Sequence, residues 1–216
     1  MSSEMSEPST AEEGPRARRP RAPGERSRRR VLEQAARLAT IEGLDGLSIG
    51  RLADTTGMPK SSVYVLFGSK QDLQLATIDA ARASFIAAVI TPALTSAEGR
   101  ERLLALCEGF LSYVERRVFP GGCFFVTTSA ELGARPGPVH DRVADYQQQW
   151  RELLQLAALE AHAQGELPRE DDPDQLAFEL GALLAGTNIV AVLHDDDSAI
   201  ERARRAIHRR LDAGAA

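Results

Sequence analysis

Apolar residues recur at helical spacing in nine stretches of the chain, a pattern that predicts an all-α protein. The first helix is expected over residues 26–42, with Val31, Leu32, Ala35, Leu38 and Ala39 on one face and Gly43 ending it. Leu44 and Leu47 return the chain to the core, and Ser48 is a natural cap for a helix over 49–56 that buries Ile49, Leu52 and Ala53. Gly57 supplies a left-handed corner, Met58 plugs it, and Pro59 opens a helix over 59–67 with its φ already set. Val63 and Phe67 then face inward, which leaves Lys60, Ser61, Ser62 and Tyr64 pointing out. A two-turn helix after a tight glycine turn, held across a longer helix, is a helix-turn-helix unit. Short polar groups at its front suit base edges, and Lys60 and Tyr64 suit phosphates.

Ser69 and Asp72 form a capping box that starts a helix over 70–90, with Leu73, Leu75, Ile78, Phe85, Ile86 and Val89 apolar and Pro92 as its stop. A cation in its first turn, Lys70, opposes the helix dipole, and an anion nearby would account for it. A Ser96 cap opens a helix to about 118 whose buried stripe is Leu103, Leu106, Cys107, Phe110, Leu111 and Val114. Pro120-Gly121-Gly122 breaks the chain before a short helix over 123–132. A long amphipathic helix over 139–164 carries Val143, Tyr146, Trp150, Leu153, Leu154, Ala157 and Ala161. An Asp172 cap with Pro173 in the first turn opens a helix to 193, and a basic amphipathic helix follows over 198–211.

The helix ending at 193 is apolar on several sides, so its own core and a second surface must both cover it. Its small residues let another helix approach closely. It is expected to pair, together with helix 198–211, with the same helices of a second copy, through Leu180, Gly181, Leu184, Ala185 and Ile207. The plain alternative is a helix central to a single chain.

Charge sharpens this division. The chain carries −5 overall, but residues 1–15 carry −4, residues 16–70 carry +7 and residues 71–216 carry −8. A short basic piece joined to a larger acidic one fits a nucleic-acid-reading head on an acidic body, and equally a solvated charged face. The expected organisation is an arm over 1–25 without structure of its own, a helix-turn-helix domain over 26–72, and a helical body over 73–216. Arg16, Arg18, Arg19 and Arg21 in the arm run into Arg26, Arg28, Arg29 and Arg30, which could track phosphates or simply solubilise the chain. No apolar run approaches the roughly 18 residues of a membrane span. The first thirty residues hold no apolar stretch suited to a secretory signal, so the expected location is the cytoplasm, with no membrane partner.

The order Gly43-Leu44-Asp45-Gly46-Leu47-Ser48, Leu52-Ala53, and Gly57 through Leu73 resembles the DNA-binding head of TetR/AcrR-type transcriptional regulators. The closing Phe67-Gly68-Ser69-Lys70-Gln71-Asp72-Leu73 carries most of that resemblance. It implies an all-helical homodimer of about nine helices that binds a palindromic double-stranded DNA operator. Its body would hold a small-molecule pocket and the dimer interface. By the same resemblance Ser48 would contact phosphate, Lys60, Ser61, Ser62 and Tyr64 would supply recognition-helix contacts, and Lys70 would clamp the backbone. This sequence departs from the pattern at Pro59, which cannot cap with a hydroxyl, at Val65 and Leu66, which cannot hydrogen-bond DNA, and at Gly50.

Among the body residues, Phe85, Phe110, Cys123, Phe124, Phe125, Tyr146 and Trp150 are candidate walls of a pocket for a hydrophobic small molecule, though the same residues would make an ordinary core. No charged group is evidently placed to pair with a ligand ion. Cys107 and Cys123 read as inert core thiols, and His194 with Asp195, Asp196 and Asp197 as solvated acids and a cap rather than a metal site. No catalytic motif is visible, and no cofactor or metal is expected. The expected function is a repressor released by its effector. A ligand-independent regulator, an activator, or a helical carrier or enzyme with a vestigial head remain as alternatives.

Overall fold

Short-range capping sets the first turns of the chain, and the computed structural model describes residues 22–212. Helix α1 (Ala22–Glu42) begins four residues before the expected start, because Pro23 falls in its first turn, where a missing N–H breaks no helical bond. Residues 1–21 of the expected arm, with Arg16, Arg18, Arg19 and Arg21, lie outside the described residues. Ser48 caps α2 (Ile49–Thr56), its Oγ accepting from the Arg51 N–H at 3.1 Å. Gly57 closes α2 with φ 67°, a conformation that side chains disfavour. α3 (Lys60–Phe67) follows from Pro59, which offers no side-chain cap.

The capping box of α4 is reciprocal: the Asp72 N–H donates to Ser69 Oγ at 3.0 Å, and that hydroxyl donates to Asp72 Oδ2 at 2.6 Å. Pro92 does not stop α4, which runs Lys70–Ala93. Residues Ile86–Ile90 widen into a π turn, and the Thr91 N–H reaches back to Ile86 O. A proline lacks an N–H and crowds the carbonyl four residues back; widening the turn before it moves those carbonyls out of line, so the helix continues. Gly109 lets the next helix close on that turn, since a Cβ there would lie 3.2 Å from the Val89 side chain.

That helix, α5 (Arg100–Glu115), also differs from expectation at its start. Ser96 does not cap it; the Arg100 N–H donates to Glu166 Oε2 at 2.8 Å and the Gly99 N–H to Glu160 Oε2 at 3.4 Å. Carboxylates distant in sequence thus take the place of a local hydroxyl at the positive end of the helix. α6 (Phe124–Leu132), α7 (Pro138–Ala163), α8 (Pro173–Leu193) and α9 (Ser198–Asp212) complete nine helices among the described residues, with no strand. Asp172 caps α8 through the Asp174 N–H at 3.0 Å.

One apolar core runs from Val31 in α1 to Leu211 in α9. Each fully buried leucine in it, such as Leu44, Leu47, Leu52 and Leu73, is worth about 1.5–3 kcal/mol over exposure. Buried hydroxyls bond within their own helices: Thr77 to Leu73 O at 2.7 Å, Thr128 to Phe124 O at 2.9 Å and Thr187 to Leu183 O at 2.7 Å. α4 and α8 are long and apolar enough to cross a membrane by length and composition. Both are packed into the bundle, α4 against α1, α5 and α7, and α8 against α7 and α9.

The faces of α8 correct part of the expected interface. Leu180, Leu184 and Ile207 are at most 1% exposed and fill the chain's own core. Gly181 and Ala185 lie half-buried at its edge. The outward face is instead Phe178, Ala182, Gly186, Ile189 and Leu193, with Phe178 63% and Leu193 73% exposed. A helix apolar all round gives no phase to its pattern, so only packing reveals which side is left over.

Candidate nucleic-acid interface and body cavity

Packing of Val63 and Phe67 under α1 turns the opposite side of α3 to solvent. Ser48, Lys60, Ser61, Tyr64 and Lys70 are all exposed and Ser62 is half-buried. Two of them draw together across Gly50: Lys60 Nζ and Ser48 Oγ lie 3.6 and 3.9 Å from where a side chain would begin there. The bare backbone at Gly50 thus makes room for Lys60 beside the start of α2. Val65 is 83% exposed on the same helix as Tyr64, which is 59% exposed. An exposed aliphatic group here suits a thymine methyl, a contact that a search for hydrogen-bonding residues overlooks.

Two arginines of the basic run are engaged in the head itself. Arg28 stacks over the Phe67 ring at 5.3 Å, and Arg30 Nη2 donates to Thr56 O at the end of α2, 2.8 Å away. Arg51 pairs with Glu42 and ties α2 to α1; its hydrogen bond holds the Glu42 carboxyl below the usual value.

A polar seam joins head to body. Glu131, at the end of α6, accepts from the Leu44 N–H at 2.7 Å and the Asp45 N–H at 2.8 Å. Gly43 adopts φ 81° there, and a Cβ would meet Glu131 Oε1 at 3.1 Å. Arg135 Nη1 donates to Asp45 Oδ2 at 2.6 Å, which holds that carboxyl below its ordinary value. Gln74 Nε2 donates to Leu44 O at 3.0 Å, and Lys70 Nζ to Asp45 O. Lys70 thus rests on a neutral backbone carbonyl of its own 44–45 loop. A second contact lies at the other end of α6, where the Gly121 N–H donates to Thr40 Oγ1 at 3.1 Å. α1 passes so close that a Cβ on Gly121 would fall 1.9 Å from Thr40 O.

Inside the body, a cavity of about 70 Å³ lies among α4, α6 and α7. Of the seven expected wall residues, Phe85, Phe110, Cys123, Phe125, Tyr146 and Trp150 line it. Phe124 does not; 1% exposed, its ring packs against Phe119 at 6.3 Å and Phe125 at 5.4 Å. The Phe85 ring meets the edges of Trp150 at 5.1 Å and Tyr113 at 5.5 Å, while Phe110 stacks on Trp150 at 6.2 Å. Burial pushes the Cys123 thiol up to about 11 and the Cys107 thiol up to about 12.

The walls also hold polar groups the sequence reading left out: Arg82, Gln147 and Gln149. Arg82 sits over the Tyr146 ring at 4.5 Å and donates to Gln149 Oε1 at 2.8 Å. It lies one turn before Phe85, a spacing visible in the sequence once the inward face of α4 is known. Elsewhere, Asp196 Oδ1 accepts from the Ser198 N–H at 2.9 Å and Asp195 pairs with Arg117, which accounts for acids beside His194.

A helix-turn-helix head braced against an acidic helical body with an internal cavity defines a two-part DNA-binding regulator. A family model described as bacterial regulatory proteins, tetR family, matches residues 31–77, and one for the tetracyclin repressor-like C-terminal domain matches residues 99–207. The chain belongs to the TetR family of transcriptional regulators. It is 27% identical over 176 residues to the transcriptional regulator AcuR of Cereibacter sphaeroides, covering 79% of each chain. It is 24% identical over 162 residues to the HTH-type transcriptional repressor ComR of Escherichia coli, covering 74% of this chain and 77% of that one. The crystal structure of a TetR transcriptional regulator from Chloroflexus aurantiacus superposes with a TM-score of 0.77 at 29% identity, covering 86% of this chain and 93% of that one.

Proposed function

We propose that this TetR-family regulator is a repressor that binds a palindromic operator as a homodimer and lets go when a hydrophobic small molecule enters the body cavity. The observation that carries the reading is the continuity of α4: Lys70 opens it at the head, and Arg82, Phe85, Ile86 and Ile90 on the same helix line the cavity. α6 offers a second route, with Phe125 and Val126 at the cavity and Glu131 on the 44–45 loop. An occupant that fits one position of these helices better than another changes the head's placement by its difference in affinity for the two. Repression is supported by the relative ComR, which is described as a repressor.

Dimerisation is supported by the outward face of α8, where Phe178, Ile189 and Leu193 form an apolar strip with no cover among the described residues. Two copies joined there would present two α3 helices to successive major grooves about 34–36 Å apart. Ser48, Lys60, Ser61, Ser62, Tyr64 and Lys70 are the proposed DNA contacts.

Gel shifts with the DNA upstream of the protein's own gene test the reading. Lys60→Ala and Tyr64→Ala should each weaken binding about 5- to 100-fold, corresponding to roughly 1–3 kcal/mol. Lys60→Ala should also lower the slope of log affinity against log salt by about 1. Unchanged affinity in both variants overturns the assignment of α3 as the reading helix.

A further inference from the structure

We propose that the effector is a small organic carboxylate with a short aliphatic tail, its carboxylate held by Arg82 at the cavity wall and its tail lying among Phe85, Phe110 and Trp150. This rests on the proposed effector-released repressor and names the chemistry of that same site.

Arg82 is the cation in a wall otherwise made of aromatic, aliphatic, thiol and amide side chains. Among the described residues, its side chain makes a single hydrogen bond, to the neutral amide oxygen of Gln149 at 2.8 Å. The carboxylates nearby are occupied elsewhere. Asp79 accepts from Tyr146 Oη at 2.9 Å and from Arg142 Nη1 at 2.5 Å, and Asp145 accepts from Gln149 Nε2 at 2.9 Å. The Asp145 bond fixes the direction of the Gln149 amide, so that its oxygen faces Arg82. The Tyr146 ring, with its centroid 4.5 Å from the guanidinium carbon, helps to hold the cation in place. A guanidinium has five donors in a rigid fork, and with one taken by Gln149 the others remain for a bidentate partner. A carboxylate fits that geometry as a charge-assisted, bidentate acceptor.

Volume sets the rest of the molecule. The cavity of about 70 Å³ is roughly half of the ~150 Å³ that accommodates benzene, which leaves space for about three or four carbons without rearrangement. Phe85 and Phe110 offer that tail only hydrocarbon surface, the Trp150 ring adds an aromatic face, and Gln147 is already tied to Ser129 Oγ at 2.9 Å. A neutral amide of the same shape would offer Arg82 one uncharged acceptor in place of a bidentate charged pair, and a cation would be repelled.

Trp150, the only tryptophan of the chain, reports the test directly. Its fluorescence is titrated at pH 7 with butyrate and with the isosteric amide butyramide, on the parent, Arg82→Gln and Arg82→Lys. The expected result is a saturable change with butyrate and affinity at least tenfold lower for butyramide. Arg82→Gln should lose the preference, and Arg82→Lys should keep part of it. The amide comparison on the unaltered chain holds even if a variant misfolds. Equal affinity for butyrate and butyramide, no saturable response to carboxylates from acetate to hexanoate, or undiminished butyrate binding by Arg82→Gln overturns the proposal. A gel shift separates it from the reading beneath it. If a neutral apolar compound frees the DNA while carboxylates do not bind, effector release stands and the carboxylate falls. If butyrate binds through Arg82 and the DNA is never freed, the carboxylate stands and effector release falls.

Discussion

Replacing Glu131 by alanine should loosen the head from the body while leaving the apolar core intact. Its carboxylate accepts two charge-assisted hydrogen bonds, from the Leu44 N–H at 2.7 Å and the Asp45 N–H at 2.8 Å. The Asp45 amide is exposed and regains water when its partner goes, whereas the Leu44 amide is partly enclosed and does so only in part. Counting one bond to a charged group nearly in full and little for the other gives a loss of about 2–3 kcal/mol. For a chain of this length each kcal/mol moves the melting temperature by about 2–4 °C, so Glu131→Ala should melt about 4–12 °C below the parent. Glu131→Gln keeps a neutral acceptor and should fall about half as far. The assay is thermal unfolding followed by circular dichroism at one fixed chain concentration, because self-association shifts the midpoint. A double-mutant cycle with Gly43→Ala sharpens it. A methyl at position 43 meets Glu131 Oε1 at 3.1 Å, so that substitution should cost less once Glu131 is gone. A melting temperature for Glu131→Ala within about 1 °C of the parent, with additive effects in the cycle, refutes the seam as a source of stability.

Phe178→Asp or Leu193→Asp should shift sedimentation from a dimer to a single chain without lowering helix content, since both side chains point out of the chain's own core; a dimer that persists in both variants removes α8 from the interface. With Cys123 pushed up to about 11 and Cys107 up to about 12, thiolate is below about one part in a thousand at pH 8, and alkylation of the native chain should be at least a hundredfold slower than in denaturant. Equal rates in the two states contradict their burial. The Asp45 carboxyl, held below its ordinary 3.8 by the Arg135 hydrogen bond, stabilises the seam at pH above 3.8, and that contribution is lost as pH falls through its lower folded value. Acid titration should therefore destabilise the parent more than Asp45→Asn below pH 4, and parallel curves would exclude the pair.

Elements set by neighbours in sequence were legible before any coordinates. Ser48, Gly57, the Ser69–Asp72 box and the Asp172-Pro173 start each act within one helical turn, so their bounds follow from residue order. The helix ends that differed depend on partners far along the chain. Ser96 was a reasonable cap until Glu160 and Glu166 were seen to supply that role for α5. Pro92 reads as a stop unless the π turn at Ile86–Ile90 is known, and the close packing of Gly109 on Val89 belongs to that turn. The site divides in the same way. A short amphipathic helix such as α3 has a phase, so its outward residues were legible. α8 has none, which is why Leu180 and Leu184 were placed on a surface they do not reach. Arg82 was overlooked because its companions Tyr146 and Gln149 come from α7, more than sixty residues away in sequence.

The bare backbone at Gly121 has a consequence for rebuilding such a molecule. With Thr40 O where a methyl would have to go, α1 and the 119–122 loop fit as a matched mortise and tenon, and neither half can be redrawn alone. The exposed side of α3 belongs to the head and the aromatic walls around Trp150 to the body, and the joint ties one to the other. A chimera that borrows a foreign head will therefore pack without a clash only if the cut leaves α1 and this loop from the same parent.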